Sequence, residues 1–315
     1  MSDLPLVIAN PAAGGGTGRE RWWAASGPVA DRLGRHDLVW TEAPGHAERI
    51  ARAEGNSRPL LIAYGGDGTA SEVARGLALS GGSAELGLLP SGTGNDFAGD
   101  AGVPTRLAEA ARFLRNTLAR PTDLGQVEDA SGAKRYFLNS FSLGLAASVA
   151  ERASSGAGLG KATYAAAAAR EVARFRPVSL RVGMGENPRR PRTLLNLTVL
   201  NSRRFGGGIP LAPPADPGDG VLDAVLIGPL GPVALMDAIF RLTRETHFGR
   251  REIEHHRITH ATVGSLPGTG SASELLSEID GDVLRWRDSV SVSVVPGALR
   301  IRRTEPRRSG RDPGA

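Results

Sequence analysis

Two glycine-punctuated loops carry the residues best suited to chemistry in this sequence. The first reads Gly65-Gly66-Asp67-Gly68-Thr69, and the second reads Pro90-Ser91-Gly92-Thr93-Gly94-Asn95-Asp96. Glycines lack a Cβ atom, so they allow positive φ and the close approach of a ligand to the backbone. Free amides at the start of a following helix attract anions. Hydroxyl, amide and carboxylate groups placed this densely between glycines favour a polyphosphate and its cation over a packed core.

Asp67 is the acidic residue of the first loop. It cannot hold a phosphate directly, because two negative groups repel each other. It could hold a metal ion, or buttress its own loop through hydrogen bonds to the backbone. Taken alone, Gly-Gly-Asp-Gly is also typical of a tight strand-to-helix turn. The Gly-Lys-Ser/Thr ending of a P-loop is absent, and no Gly-x-Gly-x-x-Gly opens a helix after the first strand, so any nucleotide site here is of another type.

Two acidic turns in the second half are further candidates. Asp280-Gly281-Asp282 lies between apolar residues and is a strong signal for a hairpin turn. Asp216, Asp219 and Asp223 form a cluster in a segment rich in Pro and Gly. Oxygen-only ligands of this kind suit Mg²⁺ or Ca²⁺. A solvated acidic turn without a metal ion explains the cluster equally well.

The elements that must position the two loops alternate between strand and helix over the first third of the chain. Short apolar runs lead into Asn10, Thr41, Gly65 and Ser91, and a helical pattern separates each run from the next. This alternation predicts a parallel sheet covered by helices, in which ligands bind beyond the carboxyl ends of the strands. Four candidate ligand loops therefore converge on one rim.

A capping box follows the first glycine loop. Thr69, Ala70, Ser71 and Glu72 place a hydroxyl three residues before a carboxylate, which is typical of a helix N-terminus. The pattern predicts a helix that begins at Thr69 and ends near Gly81.

The second half of the chain carries β-branched and alternating runs separated by Gly, Pro, Asn and Asp. The run "RYFLNSFSLGLAASV" is one of them, and together they predict an antiparallel sheet or sandwich. Helical patterns interrupt it at Lys161 to Arg174 and around Val233 to Thr243. The predicted fold is α/β plus mainly β: an N-terminal parallel-sheet nucleotide domain at residues 1–125, then a C-terminal antiparallel β-sandwich domain at residues 126–295.

Composition limits the class of protein. The 315 residues carry a net charge of +5 and include no cysteine, which excludes disulfides and thiolate metal sites. Neither a secretory signal nor a membrane-spanning apolar segment is visible, so we expect a cytoplasmic protein. His255 and His256 indicate a surface or edge strand, and no zinc motif accompanies them. Residues 304–315 are rich in Arg, Pro and Gly and indicate a disordered tail. Nothing indicates a nucleic-acid module.

Three motifs, in this order, resemble the catalytic domain of the diacylglycerol kinase and sphingosine kinase superfamily. They are Asn10-Pro11, the Gly65–Thr69 loop and the segment from Pro90 to Ala98. The segment from Asn201 to Ile227 is similar to the family's Gly-Gly-Gly and Asp-Gly-x-Leu-Asp region. Ser277 to Leu284 is similar to its late Asp-Gly-Glu motif. The chain thus resembles a bacterial lipid kinase with an NAD kinase-like fold over nearly its whole length.

The resemblance implies ATP-dependent transfer of the γ-phosphoryl group to a lipid hydroxyl such as that of diacylglycerol, with ATP and Mg²⁺ in a cleft between the domains. It implies that Asn10, Pro11 and Thr41 contact the nucleotide. The last residue of Asp-Gly-Glu falls at Asp282, which is one methylene shorter than Glu. We therefore expect Asp282 to be the catalytic base, with Asp280 in support.

Three further expectations come from the resemblance. A structural Mg²⁺ is implied at Asp219, with Asp216 and Val221 as flanking ligands. The final strand, at residues 296–303, is expected to return to the first domain. The expected partner is a lipid substrate that the protein meets as a peripheral protein at the inner face of the membrane, and a homodimer is compatible with the sequence.

Two other functions fit part of the pattern. NAD kinases share the Gly-Gly-Asp-Gly loop and a related fold, but they would carry an Asn-Glu segment where this chain has Gly-Thr-Gly-Asn-Asp-Phe at residues 92–97. A catalytically inactive nucleotide-binding regulator is conceivable because residue 282 is Asp. The preserved phosphate loops argue against it. The sequence does not identify the lipid alcohol.

Overall fold

A computed structural model of the chain describes residues 3–155, 171, 174–266 and 274–305. Strands and helices alternate in its first part, because each short apolar run is followed by a helical stretch that can cover it. The strands are β1 (Leu6–Ala9), β2 (Asp37–Trp40), β3 (Leu60–Gly65) and β4 (Glu85–Pro90). The helices are α1 (Ala13–Gly16), α2 (Gly18–Leu33), α3 (His46–Glu54), α4 (Asp67–Ser80), α5 (Asp96–Asp100) and α6 (Leu107–Asn116).

These first four strands form a parallel sheet in the order β2-β1-β3-β4. Strand β3 is buried along its whole length, which fits a sheet covered by helices on both faces. Trp22 of α2 packs edge-on against Tyr64 of β3, with the ring centroids 5.0 Å apart. The predicted parallel sheet is confirmed, and its strands all end at one rim.

The second part is rich in strands that pair in antiparallel fashion. Its strands are β5 (Ala119–Asp129), β6 (Lys134–Phe137), β7 (Ser140–Gly144), β8 (Val178–Met184), β9 (Arg190–Leu194), β10 (Asn196–Leu200), β11 (Leu222–Ile227), β12 (Ile253–Ile258), β13 (His260–Ser265), β14 (Glu274–Ile279), β15 (Asp282–Arg287) and β16 (Ser289–Arg302). Its helices are α7 (Leu145–Ser155), α8 (Pro232–Leu242) and the 3₁₀ helix His247–Gly249.

Six of these strands form a sheet in the order β12-β11-β10-β7-β14-β15. It faces strands β5, β6, β8, β13 and β16 across a second apolar core, which includes Phe137, Phe141 and Trp286. The antiparallel domain predicted from the alternating runs is confirmed. Strand β12 lies at the edge of its sheet, so the edge position predicted for His255 and His256 is confirmed as well.

Strand β16 connects the two parts of the molecule. Its first half pairs with β13, most of its length pairs with β5, and Ile301 near its end pairs in parallel with Leu86 of β4. Leu299 and Ile301 are buried in the core of the first part. A single ten-stranded sheet therefore runs through both parts.

The strand predicted from the alternating pattern is wrong at one place, where the structure has a helix. The run that predicts a strand through Val149 becomes α7 from Leu145 onward. The side-chain oxygen of Asn196 accepts a hydrogen bond from the amide of Ala146, 2.9 Å away, so a remote residue supplies the cap of this helix. The helix predicted around Val233 to Thr243 is confirmed as α8.

The helix predicted at Lys161 to Arg174 lies outside the described residues except for Glu171 and Arg174. The predicted tail lies outside them from residue 306 onward. Among the helices of the described part, none combines the length and the apolar character needed to cross a bilayer.

The predicted capping box is also wrong. Helix α4 begins at Asp67, two residues earlier than predicted, and no side chain caps it. The hydroxyl of Thr69 accepts a hydrogen bond from the Asn10 amide instead. The Glu72 carboxylate accepts hydrogen bonds from Gly45 N and Ala47 N, at 2.8 and 3.1 Å, so it caps the neighbouring helix α3.

Candidate active site

Asn10 links the first loop of the rim to helix α4. Its Oδ1 accepts a hydrogen bond from the amide of Ala12 at 2.9 Å, and its Nδ2 donates to Thr69 Oγ1 at 3.0 Å. Pro11 follows at the turn that opens α1. The Asn-Pro motif is thus joined to the Gly-Gly-Asp-Gly-Thr motif through side chains.

The two glycine loops touch each other where they leave the sheet. Ser91 N donates to Gly65 O at 2.7 Å, and a Cβ atom built on Gly92 would collide with the Cα of Gly66. The Asn95 side chain closes the second loop, because it both accepts from Gly92 N and donates to Gly92 O at 2.9 Å. The shape of both loops therefore depends on the missing side chains of Gly66 and Gly92.

Asp67 of the first loop and Asp96 of the second loop lie close to each other. Asp67 Oδ1 accepts from Phe97 N at 3.2 Å, and Asp96 Oδ2 accepts from Gly207 N at 2.8 Å. Asp96 is 6% exposed, and its Oδ1 has no hydrogen-bond partner within the described ranges. Burial, reinforced by the nearby charge of Asp67, raises the pKa of Asp96 although the Gly207 amide opposes the shift. Two adjacent carboxylates with an unpartnered buried oxygen fit a hard cation such as Mg²⁺.

The triple-glycine segment at residues 206–208 brings the second part of the chain to this rim. Gly207 makes the contact with Asp96, and Phe205 and Ile209 close the loop by pairing with each other. Asp100 of α5 anchors the start of the segment, because its carboxylate binds the amide of Arg203 at 2.8 Å and the guanidinium of Arg204 at 2.7 Å. The rim is therefore a junction between the two parts.

A cavity of about 490 Å³ lies beside the second glycine loop, a volume in the range of small-ligand sites. Ser91, Gly92 and Asn95 form one wall, and Arg21 and Arg106 contribute positive charge to the lining. Arg21 Nη1 also donates to Ser91 O at 3.1 Å. The sequence reasoning missed both arginines, because neither stands in a glycine loop.

Not every predicted nucleotide contact borders this cavity. Thr41 is buried at the end of β2, where its amide donates to Ala9 O, and it lines neither this cavity nor the cleft between the glycine loops. Gly68 and Thr93 lie in the two loops, and Thr93 is exposed. The nucleotide roles of these residues stay predictions.

Asp280 occupies the turn between β14 and β15. Asp280 and Gly281 both have positive φ, of 49° and 93°, which confirms the hairpin turn predicted from the sequence. The Asp280 carboxylate accepts four hydrogen bonds. Three come from the consecutive amides of residues 138–140, at 2.7 to 2.9 Å, and the fourth comes from the Ser71 hydroxyl of α4. Burial raises the pKa of Asp280, and these donors oppose that shift.

Asp282 is more accessible than Asp280. Its side chain is 48% exposed, and its Oδ2 accepts from Arg135 at 2.9 Å and from Arg75 at 3.3 Å. Arg75 is buried on α4 and also binds Glu48 at 2.9 Å, so its position is fixed. The accessible carboxylate of the turn is therefore held by two arginines.

One face of helix α4 links the glycine loops to the Asp280–Asp282 turn. Asp67, Ser71 and Arg75 follow each other at intervals of four residues, which places them on one face of the helix. The first of them lies under the glycine loops, and the other two bind Asp280 and Asp282. The sequence reasoning missed Ser71 and Arg75, although their spacing from Asp67 was a usable signal.

Glu278 is a further carboxyl group that the sequence reasoning missed. It lies two residues before Asp280, is 6% exposed, and accepts a hydrogen bond from Gly281 N. Its Oε2 has no hydrogen-bond partner among the described residues. Burial, together with the negative charge of Asp280, raises the pKa of Glu278 to about 7.

The aspartates of the second acidic cluster lie beside basic side chains. The Asp219 carboxylate forms an ion pair with Arg257, and Asp216 lies 3.7 Å from the Arg303 guanidinium. The amide of Val221 donates to Asp219, and Asp223 pairs with His255. No group of three or more metal-ligating side chains occurs within the described ranges. Arg257 neutralises Asp219, whereas the buried Oδ1 of Asp216 has no hydrogen-bond partner among the described residues. The metal roles of Asp216, Asp219 and Val221 stay predictions.

Comparison with known families and proteins gives a consistent result. The diacylglycerol kinase catalytic domain family matches residues 5–127, and the YegS C-terminal NAD kinase beta sandwich-like domain matches residues 139–303. The chain is 34% identical over 270 residues to the "Probable lipid kinase YegS-like" protein of Pseudomonas aeruginosa, a match that covers 84% of this chain and 82% of that protein. It is 27% identical over 303 residues to the diacylglycerol kinase of Mycobacterium tuberculosis, a match that covers 94% of each.

A solved structure shares the fold. The crystal structure of a diacylglycerol kinase from Bacillus anthracis matches with a TM-score of 0.70 and 20% sequence identity, over 96% of this chain and 97% of that chain. At this identity the likeness concerns the fold alone.

Proposed function

The chain belongs to the diacylglycerol kinase catalytic domain family, and on that premise we propose that it transfers the γ-phosphoryl group of ATP to a lipid hydroxyl such as that of diacylglycerol. Its relatives are lipid kinases by name. The observation that carries the proposal is the proximity of the Asp67 and Asp96 carboxylates where the two glycine loops touch.

The glycine loops serve the nucleotide. Backbone amides of the two glycine loops, apart from those of Ser91 and Gly92, bind phosphate oxygens. Arg21 and Arg106 add positive charge in the neighbouring cavity. Mg²⁺ would be held by Asp67 and by the unpartnered oxygen of Asp96, since this ion uses few carboxylates and keeps several waters. When bound, it neutralises charge on the phosphates.

The turn between β14 and β15 provides the residue that acts on the acceptor hydroxyl. Asp282 takes the proton from the lipid hydroxyl, because it is the half-exposed carboxylate of this turn. Asp280 has four hydrogen-bond donors on its two oxygens, so it acts as a positioning residue that fixes the turn to α4. Arg75 and Arg135 hold the Asp282 side chain in position.

The partner is a lipid presented at a membrane surface. A diacylglycerol molecule leaves a bilayer at a large cost in exposed hydrocarbon. We therefore expect the protein to bind peripherally at the inner face of the membrane. The proposed reaction needs the site of only one chain, so a homodimer is compatible with it.

An acceptor panel tests the proposal. Purified protein is incubated with γ-labelled ATP and Mg²⁺, and with mixed micelles that contain diacylglycerol, a sphingoid base or an isoprenoid alcohol. A parallel sample contains NAD. We expect label in a lipid product and none in NAD, and Asp67→Ala should abolish the transfer while the melting curve stays close to that of the wild type. Label in NAD alone identifies an NAD kinase, and no label in any acceptor identifies an inactive regulator.

A further inference from the structure

Helix α8 presents an apolar stripe to solvent. Val233, Met236, Ile239 and Phe240 are 85%, 67%, 44% and 54% exposed. Their spacing of three to four residues places them along one side of the helix. They are half of the large apolar side chains that are exposed in the described part of the chain. Such a concentration on one short helix marks an interaction surface.

The opposite side of α8 is firmly attached to the protein. Ala238 is buried in a small core with Leu211 and Ile253, and Leu242 packs against that core. Asp237 forms ion pairs with Arg241 of the same helix and with Arg250, which lies after the 3₁₀ helix. The stripe is therefore the outer face of a fixed helix.

Positive charge borders the stripe. Residues 232–252 contain four arginines and three acidic residues. Two of the arginines are paired with Asp237, whereas Arg244 and Arg251 are exposed and have no carboxylate within ion-pair distance among the described residues. The Arg244 guanidinium carbon lies 3.6 Å from the centre of the Phe240 ring, so charge and apolar surface meet directly.

The core beneath helix α8 extends to the segment that contacts Asp96. The core beneath α8 also includes Leu211, and Phe205 packs against it. Phe205 opens the triple-glycine segment whose Gly207 amide binds Asp96. His247, just after α8, contacts Leu211 O at 2.9 Å. Helix α8 therefore shares a core with the segment that contacts Asp96.

We propose that the α8 stripe is a membrane-docking surface, which inserts its four apolar side chains into the interface of an anionic bilayer while Arg244 and Arg251 bind lipid phosphates. An amphipathic helix with basic residues beside an apolar face has the chemistry for lying in that interface. The inference rests on the proposed function only in that it explains how a lipid substrate reaches the cleft.

Vesicle sedimentation tests the docking surface. The probes are vesicles of phosphatidylglycerol with phosphatidylcholine, and vesicles of phosphatidylcholine alone. The wild type should bind the anionic vesicles, and the double variant Met236→Asp, Phe240→Asp should lose binding by at least about tenfold. Leu118→Asp changes an 80% exposed leucine elsewhere and should bind as the wild type does. Arg244→Glu should weaken binding to anionic vesicles more than the matched exposed control Arg190→Glu.

Kinase assays with two forms of diacylglycerol separate docking from chemistry. With short-chain diacylglycerol below its micellar concentration, the double variant should match the wild type, and with diacylglycerol in vesicles it should be much slower. A milder pair, Met236→Gln with Phe240→Gln, guards against misfolding and should show the same split.

Three results overturn the docking surface: unchanged vesicle binding by both double variants, an equal loss of activity on both forms of substrate, or a dimer that the variants dissociate without any change in vesicle binding. Stripe-dependent vesicle binding by a protein that phosphorylates no lipid supports the docking surface and contradicts the proposed function instead.

Discussion

Asp280 and Asp282 are two residues apart, yet their environments differ. Asp280 accepts three backbone amides and the Ser71 hydroxyl, so its oxygens are fully engaged. Asp282 keeps a half-exposed side chain that two arginines orient. A carboxylate must reach the acceptor hydroxyl to remove its proton, and this difference in accessibility is the reason for proposing Asp282 as the base.

Asp282→Asn removes the proposed base without changing the shape of the side chain. We expect kcat to fall by roughly 10²- to 10⁴-fold, with little change in ATP affinity. Asp282→Glu should retain activity or raise it, because it restores the longer side chain. Steady-state kinetics with ATP and micellar lipid measure both variants.

Asp280→Asn is the matched comparison. It should lower the free energy of unfolding by roughly 1–3 kcal/mol, because an amide NH₂ would face buried backbone donors. Normal lipid turnover by Asp282→Asn together with a well-folded but inactive Asp280→Asn would assign the base to residue 280.

Glu278 should make stability depend on pH. Its pKa is raised from 4.5 to about 7, so the folded protein holds this proton more tightly than the unfolded chain does. The resulting stabilisation is present below pH 4.5 and is lost as the pH rises through 7, a change of roughly 3 kcal/mol at most. Glu278→Gln, which keeps an acceptor for Gly281 N, should therefore gain stability relative to the wild type between pH 5 and pH 8. Urea unfolding at both pH values measures the difference, and equal differences at the two pH values would contradict it.

Sequence reasoning found the residues that lie in recognisable motifs. The two glycine loops and the Asp280-Gly281 turn depend on local backbone conformation, which local sequence specifies. Ser71, Arg75 and Glu278 acquire their roles from contacts with distant segments, such as the hydrogen bond between residues 71 and 280. The four-residue spacing of Asp67, Ser71 and Arg75 indicates a shared helix face, but it does not indicate which distant segment that face contacts.

At the scale of elements, a side chain of helix α4 caps the neighbouring helix α3. The Glu72 carboxylate of α4 binds two amides at the start of α3. We expect Glu72→Ala to lower the free energy of unfolding by about 1–2 kcal/mol, because two helix N-terminal amides lose their acceptor. Glu72→Gln keeps one acceptor oxygen and should cost less. Thermal melts compare the two variants, and equal, negligible effects would show that α3 needs no cap from α4.

The acidic turn at Asp219 offers a second test at this scale. Since Arg257 already neutralises Asp219, we expect a chelator to leave the melting temperature of the wild type unchanged. A chelator-dependent fall in melting temperature that Asp219→Ala abolishes would instead establish the Mg²⁺ site that the sequence predicts.

Periodicity in the sequence predicted most of the helices and strands. The elements that it did not predict have physical causes. Helix α7 begins in a segment with strand-like composition because Asn196, far along the chain, caps it. Strand β16 joins both parts of the molecule, and no local pattern indicates that its two ends pair with different partners.

At the scale of the molecule, the candidate site lies where two sheets and one helix meet. The ten-stranded sheet carries the glycine loops at the ends of β3 and β4. Helix α4 extends from these loops to the Asp280–Asp282 turn of the second part. The arrangement places the proposed phosphate site and the proposed base along one helix.

The most direct measurement of the central claim follows the label itself. Wild type and Asp67→Ala are incubated in parallel with γ-labelled or α-labelled ATP and diacylglycerol in mixed micelles, and the lipid is extracted into organic solvent. The account predicts label in the organic phase only for the wild type with γ-labelled ATP, as a phosphorylated diacylglycerol. Equal label in the lipid from both enzymes, or none from the wild type on any lipid alcohol while ATP binds, would contradict it.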